Sequence, residues 1–246
     1  MSDHWDFFPC TIGEESASIF VDIGISHELP KPGVDKLLNI RLHLKKPSAD
    51  GLSTAEEFDD LCALEDTIEE TLKKYSVCYV GRITYGGHRE YYYYSADYSF
   101  KEEILQLMQA YGYRFDTAET EDPTWSSYKE ELYPTSQDWQ IIKDRGVIEN
   151  LKENGDECSE ARPIDHFAYF STNADALNFC ENAFQLGFEA AREISTLEDG
   201  TFSVHLLKND TPEYPFFSNI TMSLLKLAQE SNGHYDGWGC PVIAKV

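Results

Sequence analysis

The pair Asp165-His166 is the first candidate for acid–base chemistry in the chain. A carboxylate that holds an imidazole in place can make a histidine a general base. The pair begins an apolar run that ends at Phe170 and is typical of a strand. Because neighbouring side chains of a strand point to opposite faces, this carboxylate and imidazole cannot readily meet. We therefore expect His166 to be a structural residue and not a catalytic base.

Other chemistry-bearing patterns are incomplete. His234 and Asp236 would lie on one face of an extended segment, as two metal ligands do, but no third ligand is identifiable. The six cysteines form no C-x-x-C pair, which favours reduced thiols. The chain lacks Gly-x-Ser-x-Gly and the glycine-rich motifs that bind phosphate. The sequence thus predicts no catalytic site, no metal and no cofactor, and we expect a protein that is not an enzyme.

Charge narrows the range of partners. The chain has 20 Lys and Arg against 44 Asp and Glu, a net charge of −24 that both halves share. Such a field repels nucleic acid and anionic lipid and attracts basic proteins, although it also serves solubility alone. Tyr91 to Tyr94 would place one ring pair on each face of a strand, and some RNA-binding sheets stack bases on exposed rings. Those modules also present basic surfaces, so we expect no direct binding of nucleic acid.

No stretch of the sequence approaches the roughly 18 apolar residues of a membrane helix. The N-terminal residues, Met1 to Asp6, also lack the basic and apolar regions of a secretory signal. We therefore expect a cytoplasmic protein that does not contact membranes.

Hydrophobic periodicity predicts the elements that position these residues. In the first half, Thr54 and Glu57 have the spacing of a helix capping box, and Gly86-Gly87 suits a tight hairpin turn. The predicted strands are 17–24, 36–44, 77–85, 90–94 and 113–116, and the predicted helices are 54–75 and 100–111. From Lys36 onward the order is β-α-β-β-α-β, which is typical of the ferredoxin-like fold with its four-stranded antiparallel sheet.

The second half repeats this order behind an additional helix. Helices are predicted at 137–153, 174–186 and 216–230, and strands at 164–170, 188–194 and 202–207, before a terminal segment from Tyr235. The prolines and polar residues of 117–136 favour a domain boundary near Pro134. The sequence thus predicts an α+β protein of two tandem ferredoxin-like (βαββαβ) sandwiches, 1–134 and 135–246, the second preceded by an extra helix.

Three segments of the second half carry a family resemblance: His166-Phe-Ala-Tyr-Phe170, the helix Ala176 to Ala183 with Gly187-Phe188-Glu189, and Tyr235-Asp-Gly-Trp-Gly239. Residues 138–246 resemble the family called regulator of ribonuclease E activity B. This resemblance implies an acidic, non-catalytic protein that binds the endoribonuclease and restrains RNA cleavage. The apolar residues after Gly239 and the additional N-terminal domain depart from that family.

Residues 15–133 are similar to a bacterial domain of unknown function, DUF695. The segments that carry this similarity are Asn39-Ile-Arg41, the helix around Glu65-Asp66, Val80-Gly-Arg82 and Tyr91 to Tyr94. The similarity informs the architecture and not the activity.

The candidate partner-binding residues are His166 and the segment Tyr235, Asp236, Gly237, Trp238 and Gly239. The two glycines free the backbone around Trp238, so its indole could point into the core or across a partner, where Trp is a frequent hot spot. The leading hypothesis is an acidic regulator with an RNA-processing endoribonuclease as its protein partner. Two alternatives remain open: an immunity-type protein that neutralises a basic nuclease toxin, and a hydrolase with a pocket between the domains.

Overall fold

The computed structural model describes residues 2–190, 194–214 and 217–244. The chain divides into two compact units, Met1–Pro134 and Thr135–Val246. Each unit is a mixed α+β structure built on one antiparallel sheet. Among the described residues, no helix is both long and apolar enough to span a membrane.

The first unit contains six strands. They are β1 (Trp5–Ile12), β2 (Glu15–Asp22), β3 (Lys36–His43), β4 (Val77–Tyr85), β5 (His88–Ser95) and β6 (Arg114–Glu121). The sheet order is β1-β2-β4-β5-β3-β6. The sheet is therefore larger than the predicted four strands, because β1 and β2 form a hairpin that extends it beside β4. The predicted turn is confirmed, since β4 and β5 are joined at Gly86 and Gly87, both with positive φ.

Two helices, α1 (Ala55–Leu72) and α2 (Lys101–Ala110), pack on one face of this sheet. The Thr54 hydroxyl accepts a hydrogen bond from the Glu57 N–H, as the capping prediction required. The Glu57 carboxylate does not complete the predicted box, because it accepts the backbone N–H groups of Lys45 and Lys46 at 2.6 and 2.9 Å. This contact ties the start of α1 to the segment after β3.

The four consecutive tyrosines of β5 are all buried, with at most 2% of each residue exposed. Tyr91 and Tyr93 belong to the core beneath the helices. Tyr94 stacks on Trp125, with ring centroids 4.0 Å apart, and Tyr92 donates to Glu131 at 2.8 Å. No ring of this run lies exposed for base stacking, because residues that follow β6 within the first unit cover the second face.

The second unit follows the predicted order. Its helices are α3 (Ser136–Glu153), α4 (Asn173–Gln185) and α5 (Phe217–Glu230), and its strands are β7 (Arg162–Phe170), β8 (Glu189–Ala190), β9 (Ser195–Thr196), β10 (Phe202–Asp210) and β11 (Gly233–Gly239). The sheet order is β11-β7-β10-β8, with β9 paired to β10. Part of the predicted strand 188–194 and the first residue of the predicted helix 216–230 fall outside the described residues.

Candidate functional site

The segment Tyr235 to Gly239 forms most of β11, the strand at one end of the second sheet. Its pairing with β7 shifts register between Tyr235 and Gly237, and Gly237 has φ +130°. This β-bulge changes the strict alternation of a strand, so Tyr235 and Trp238, three residues apart, both point inward. Only 1% of Tyr235 and 8% of Trp238 are exposed. The folded protein therefore does not present this indole as a contact surface.

Trp238 meets a buried carboxylate from the extra helix. Its indole N–H donates to Asp144 Oδ1 at 2.9 Å, and Gln140 Nε2 donates to the same oxygen at 2.7 Å. The Thr221 hydroxyl of α5 donates to Oδ2. Burial raises the pKa of Asp144, and these hydrogen bonds oppose that increase. The carboxylate thus joins α3, α5 and β11 through three donors, which is a structural role.

His166 is also an interior residue, with 2% of its surface exposed. Its Nδ1 lies 2.8 Å from the Tyr235 hydroxyl, while its Nε2 has no hydrogen-bond partner among the described residues. The ring contacts Phe188 edge-on and stacks on Phe217. His166 therefore lies in the core of the folded chain, because β7 turns it toward the helices, and its assignment to a partner contact stays a prediction.

Asp165 lies on the other face of β7, as alternation predicts, and its carboxylate contacts His205 Nε2 on β10 at 2.5 Å. The Asp165-His166 pair therefore does not assemble as an acid–base couple. His234 and Asp236 approach each other to 3.7 Å, and both are exposed. Among the described residues, no three His, Cys, Asp or Glu side chains are grouped to hold a metal ion.

Three exposed apolar residues of the second unit lie on α4 and at its C-cap, and the sequence reasoning did not identify them. Phe184 is 67% exposed, and Leu177 and Leu186 are 47% and 44% exposed. We name these three residues the α4 patch. A depression of about 470 Å³ lies beside Phe184 between α4 and β8, and Glu181 is among its lining residues. The signal was available, because Leu177 and Phe184 are seven residues apart and share one side of α4, which is not the side of the buried Ala176, Phe179 and Ala183.

Comparison with protein families identifies the first unit. The family model described as family of unknown function (DUF695) matches residues 3–133, more than half of the chain. The chain belongs to the DUF695 family. A second family model, regulator of ribonuclease activity B, matches residues 141–240. Both resemblances read from the sequence are confirmed in the predicted order, and residues 141–240 are called the RraB domain below.

Comparisons with individual proteins add no functional argument for this DUF695 member. No curated protein matches the chain significantly. A solved structure described as a putative glycine cleavage system transcriptional repressor is similar to 83% of this chain and 97% of its own, with 6% identity and a TM-score of 0.27. So low a score informs neither fold nor function.

The buried imidazole of the RraB domain predicts a dependence of stability on pH. Burial, assisted by the charge of Lys208, lowers the pKa of His166 from 6.5 to about 4. The unfolded chain therefore binds one more proton than the folded chain between these values, so stability falls as the pH falls through this window. We expect a loss of about 2 kcal/mol between pH 7 and pH 5 from this residue.

Urea titrations of the full chain at several pH values measure this effect, with hydrogen exchange of β7 peptides assigning it to the RraB domain. His166→Gln removes the titrating group and is expected to flatten the dependence above pH 5. An unchanged slope in this variant would show that other groups control the transition.

Proposed function

We propose that the RraB domain binds an RNA-processing endoribonuclease and restrains its cleavage of RNA by protein–protein contact, without catalysing a reaction. The match of residues 141–240 to the regulator of ribonuclease activity B family carries this proposal. In both units the strand order supports a ferredoxin-like classification, with domains at 1–134 and 135–246. The proposal places the protein in the cytoplasm, where this RNA processing occurs.

Charge supports a protein partner with a basic surface. Residues 135–246 contain 8 Lys and Arg against 18 Asp and Glu, a net charge of −10. Opposite charge on a partner accelerates association and disfavours contact with bare nucleic acid. The regulator would therefore bind the enzyme and leave its RNA substrate free.

The α4 patch is the proposed centre of the contact. Phe184 has 67% of its surface exposed, so a partner that covers it removes a large apolar area from water. Leu177, seven residues earlier on α4, adds further apolar area. Glu181 on α4 and Glu189 on β8 are exposed and place negative charge around it. An apolar centre with a charged rim is the usual anatomy of a protein interface.

The exposed part of the β11 segment is a second proposed contact. Asp236 is exposed at the bulge, while its neighbours Tyr235 and Trp238 are buried. In this role β11 offers the Asp236 carboxylate and the backbone of a sheet edge to the partner, while the buried Trp238 indole holds the strand in place.

Binding of the full chain to purified ribonuclease E, the enzyme of the sequence resemblance, tests the proposal together with an RNA-cleavage assay. The wild type is expected to bind and slow cleavage, whereas Leu177→Ser with Phe184→Ser should weaken binding by about tenfold or more. Phe58→Ser is the matched control, because Phe58 is 45% exposed on α1 of the other unit. Asp236→Lys tests the second contact.

A wild-type chain that neither binds the enzyme nor alters cleavage at physiological salt would contradict the function. If the α4 double variant still binds the enzyme and Asp236→Lys does not, the contact lies at β11 and not at the α4 patch. Circular dichroism of each variant separates lost contact from lost folding.

A further inference from the structure

The DUF695 unit contains a cavity of about 350 Å³ between α1 and strands β2 and β4. This volume lies within the range of about 300–1,000 Å³ that is typical of small-molecule sites. The cavity exists because the β1–β2 hairpin extends the sheet, and Phe20 of β2 forms its outer wall. Ile68 and Leu72 of α1 and Val77 of β4 contribute apolar surface.

A β-bulge aims two polar side chains into this cavity. The pairing of β4 with β5 shifts register between Tyr79 and Gly81, so Tyr79 is opposite Tyr93 and Arg82 is opposite Tyr91. Since Tyr91 and Tyr93 face the helices, Tyr79 and Arg82 face them as well. Gly81 permits this geometry, because its φ is +151° and an added Cβ would lie 2.6 Å from the Phe20 carbonyl oxygen.

Two guanidinium groups share one carboxylate at the polar end of the cavity; Arg82 is among the lining residues, and Arg89 lies beyond them. Glu65 of α1 accepts Arg82 at 3.1 Å and Arg89 at 2.8 Å, so one carboxylate serves two guanidinium groups. The side chain of Arg89 is 3% exposed and that of Arg82 is 14% exposed. Because one carboxylate serves both guanidinium groups, the cluster keeps a net positive charge, which an additional anionic group would offset.

Arg82 has donors available for that group. Its Nη1 serves Glu65 and approaches the Tyr79 hydroxyl, while its Nε and Nη2 make no hydrogen bond among the described residues. The guanidinium carbon lies 4.3 Å from the Phe20 ring centroid, which fixes the plane of the group against the cavity wall. A planar guanidinium with two adjacent free N–H edges suits a bidentate carboxylate.

The exposed mouth of the cavity carries more negative than positive charge. Two acids and one base line it and are exposed: Asp66, Glu69 and Lys73, whose ammonium pairs with Glu70. The two acids and the net charge of −24 disfavour a simple anion, whereas an ammonium group at the mouth would offset both. We propose that this cavity binds a zwitterionic amino acid with a large apolar side chain, its carboxylate on Arg82, its ammonium toward Asp66 and Glu69, and its side chain along Phe20 and Leu72.

Calorimetric titration of the full chain with three probes tests the ligand class. L-Phenylalanine is expected to bind with a Kd below about 1 mM. 3-Phenylpropanoate lacks the ammonium group and should bind several-fold more weakly, and phenethylamine lacks the carboxylate and should bind least. No binding of L-phenylalanine up to about 10 mM would overturn the proposal, as would phenethylamine or 3-phenylpropanoate binding as tightly as the amino acid.

Variants locate the site. Arg82→Gln is expected to weaken L-phenylalanine binding at least about tenfold, because a charge-assisted hydrogen bond is lost. Glu69→Gln changes an exposed residue, so the fold is expected to stay intact. The substitution should weaken L-phenylalanine binding about two- to fivefold. Asp59→Asn, exposed on the same helix outside the cavity, should have no effect. An unchanged Kd in both cavity variants would overturn the site, and neither result depends on ribonuclease binding.

Discussion

Trp238→Ala is expected to lower the free energy of unfolding of the RraB domain by about 3–5 kcal/mol, the range for truncating a large buried aromatic side chain. The indole is 8% exposed and packs on Phe217 with ring centroids 4.3 Å apart. Its removal leaves a cavity and takes one of three donors from the buried Asp144 carboxylate. Domains are commonly stable by only about 5–15 kcal/mol, so this variant should be close to unfolding at 37 °C.

Urea unfolding of the full chain, with hydrogen exchange of α3 and β11 peptides, measures this loss in the second unit. Trp238→Phe retains a six-membered aromatic ring against Phe217, while it removes the N–H and the five-membered ring that carries it. It should cost less than the alanine variant, with the lost bond to a carboxylate contributing about 1.5–3 kcal/mol. Leu197→Ala, at a residue 43% exposed, is the control and should change little. An alanine variant as stable as this control would contradict the anchoring role.

Asp156→Asn is expected to cost about 3–5 kcal/mol, since it leaves the Arg162 guanidinium buried without its counter-charge. The two side chains are 1% and 3% exposed, and Arg162 contacts both carboxylate oxygens of Asp156. Arg162 lowers the pKa of Asp156 well below its usual range. The stabilisation is therefore present above pH 4 and is lost as the pH falls below the unfolded value near 3.8.

This ion pair also holds the chain beyond β11. Asp156 accepts the N–H of Ile243 at 2.7 Å, and Arg162 donates to the Pro241 carbonyl at 3.1 Å. Asp156→Asn should thus raise hydrogen exchange at residues 241–244 as well as lower the urea midpoint. The double variant Asp156→Asn with Arg162→Met removes both charges and is expected to recover at least about 1 kcal/mol. A double variant that shows the sum of two single losses would mean that the pair has no coupling energy.

Much of the architecture followed from hydrophobic periodicity. Helix α3 was predicted at 137–153 and lies at Ser136–Glu153, and the Gly86-Gly87 hairpin formed where the sequence indicated. These elements depend on local spacing and turn chemistry, which the sequence displays directly. Strand β1 was missed because its sequence, with Phe7, Phe8 and Pro9 in succession, does not alternate between apolar and polar residues.

The candidate sites were less accessible to sequence reasoning. The Tyr235 to Gly239 segment was recognised, but the direction of Trp238 and the burial of His166 were not fixed. The α4 patch was visible as an apolar repeat on the outer face of a helix, yet the same repeat is also compatible with burial. Which face meets the sheet depends on how the whole layer packs.

The sequence by itself determined the two α+β units, their order of elements and the sign of their charge, because composition and spacing are local properties. Only the tertiary structure decided where the key side chains point. Bulges beside Gly81 and Gly237 turn Tyr79 with Arg82, and Tyr235 with Trp238, onto single faces. A bulge inserts one residue against a partner strand, so the two-residue period that sequence analysis assumes does not hold there.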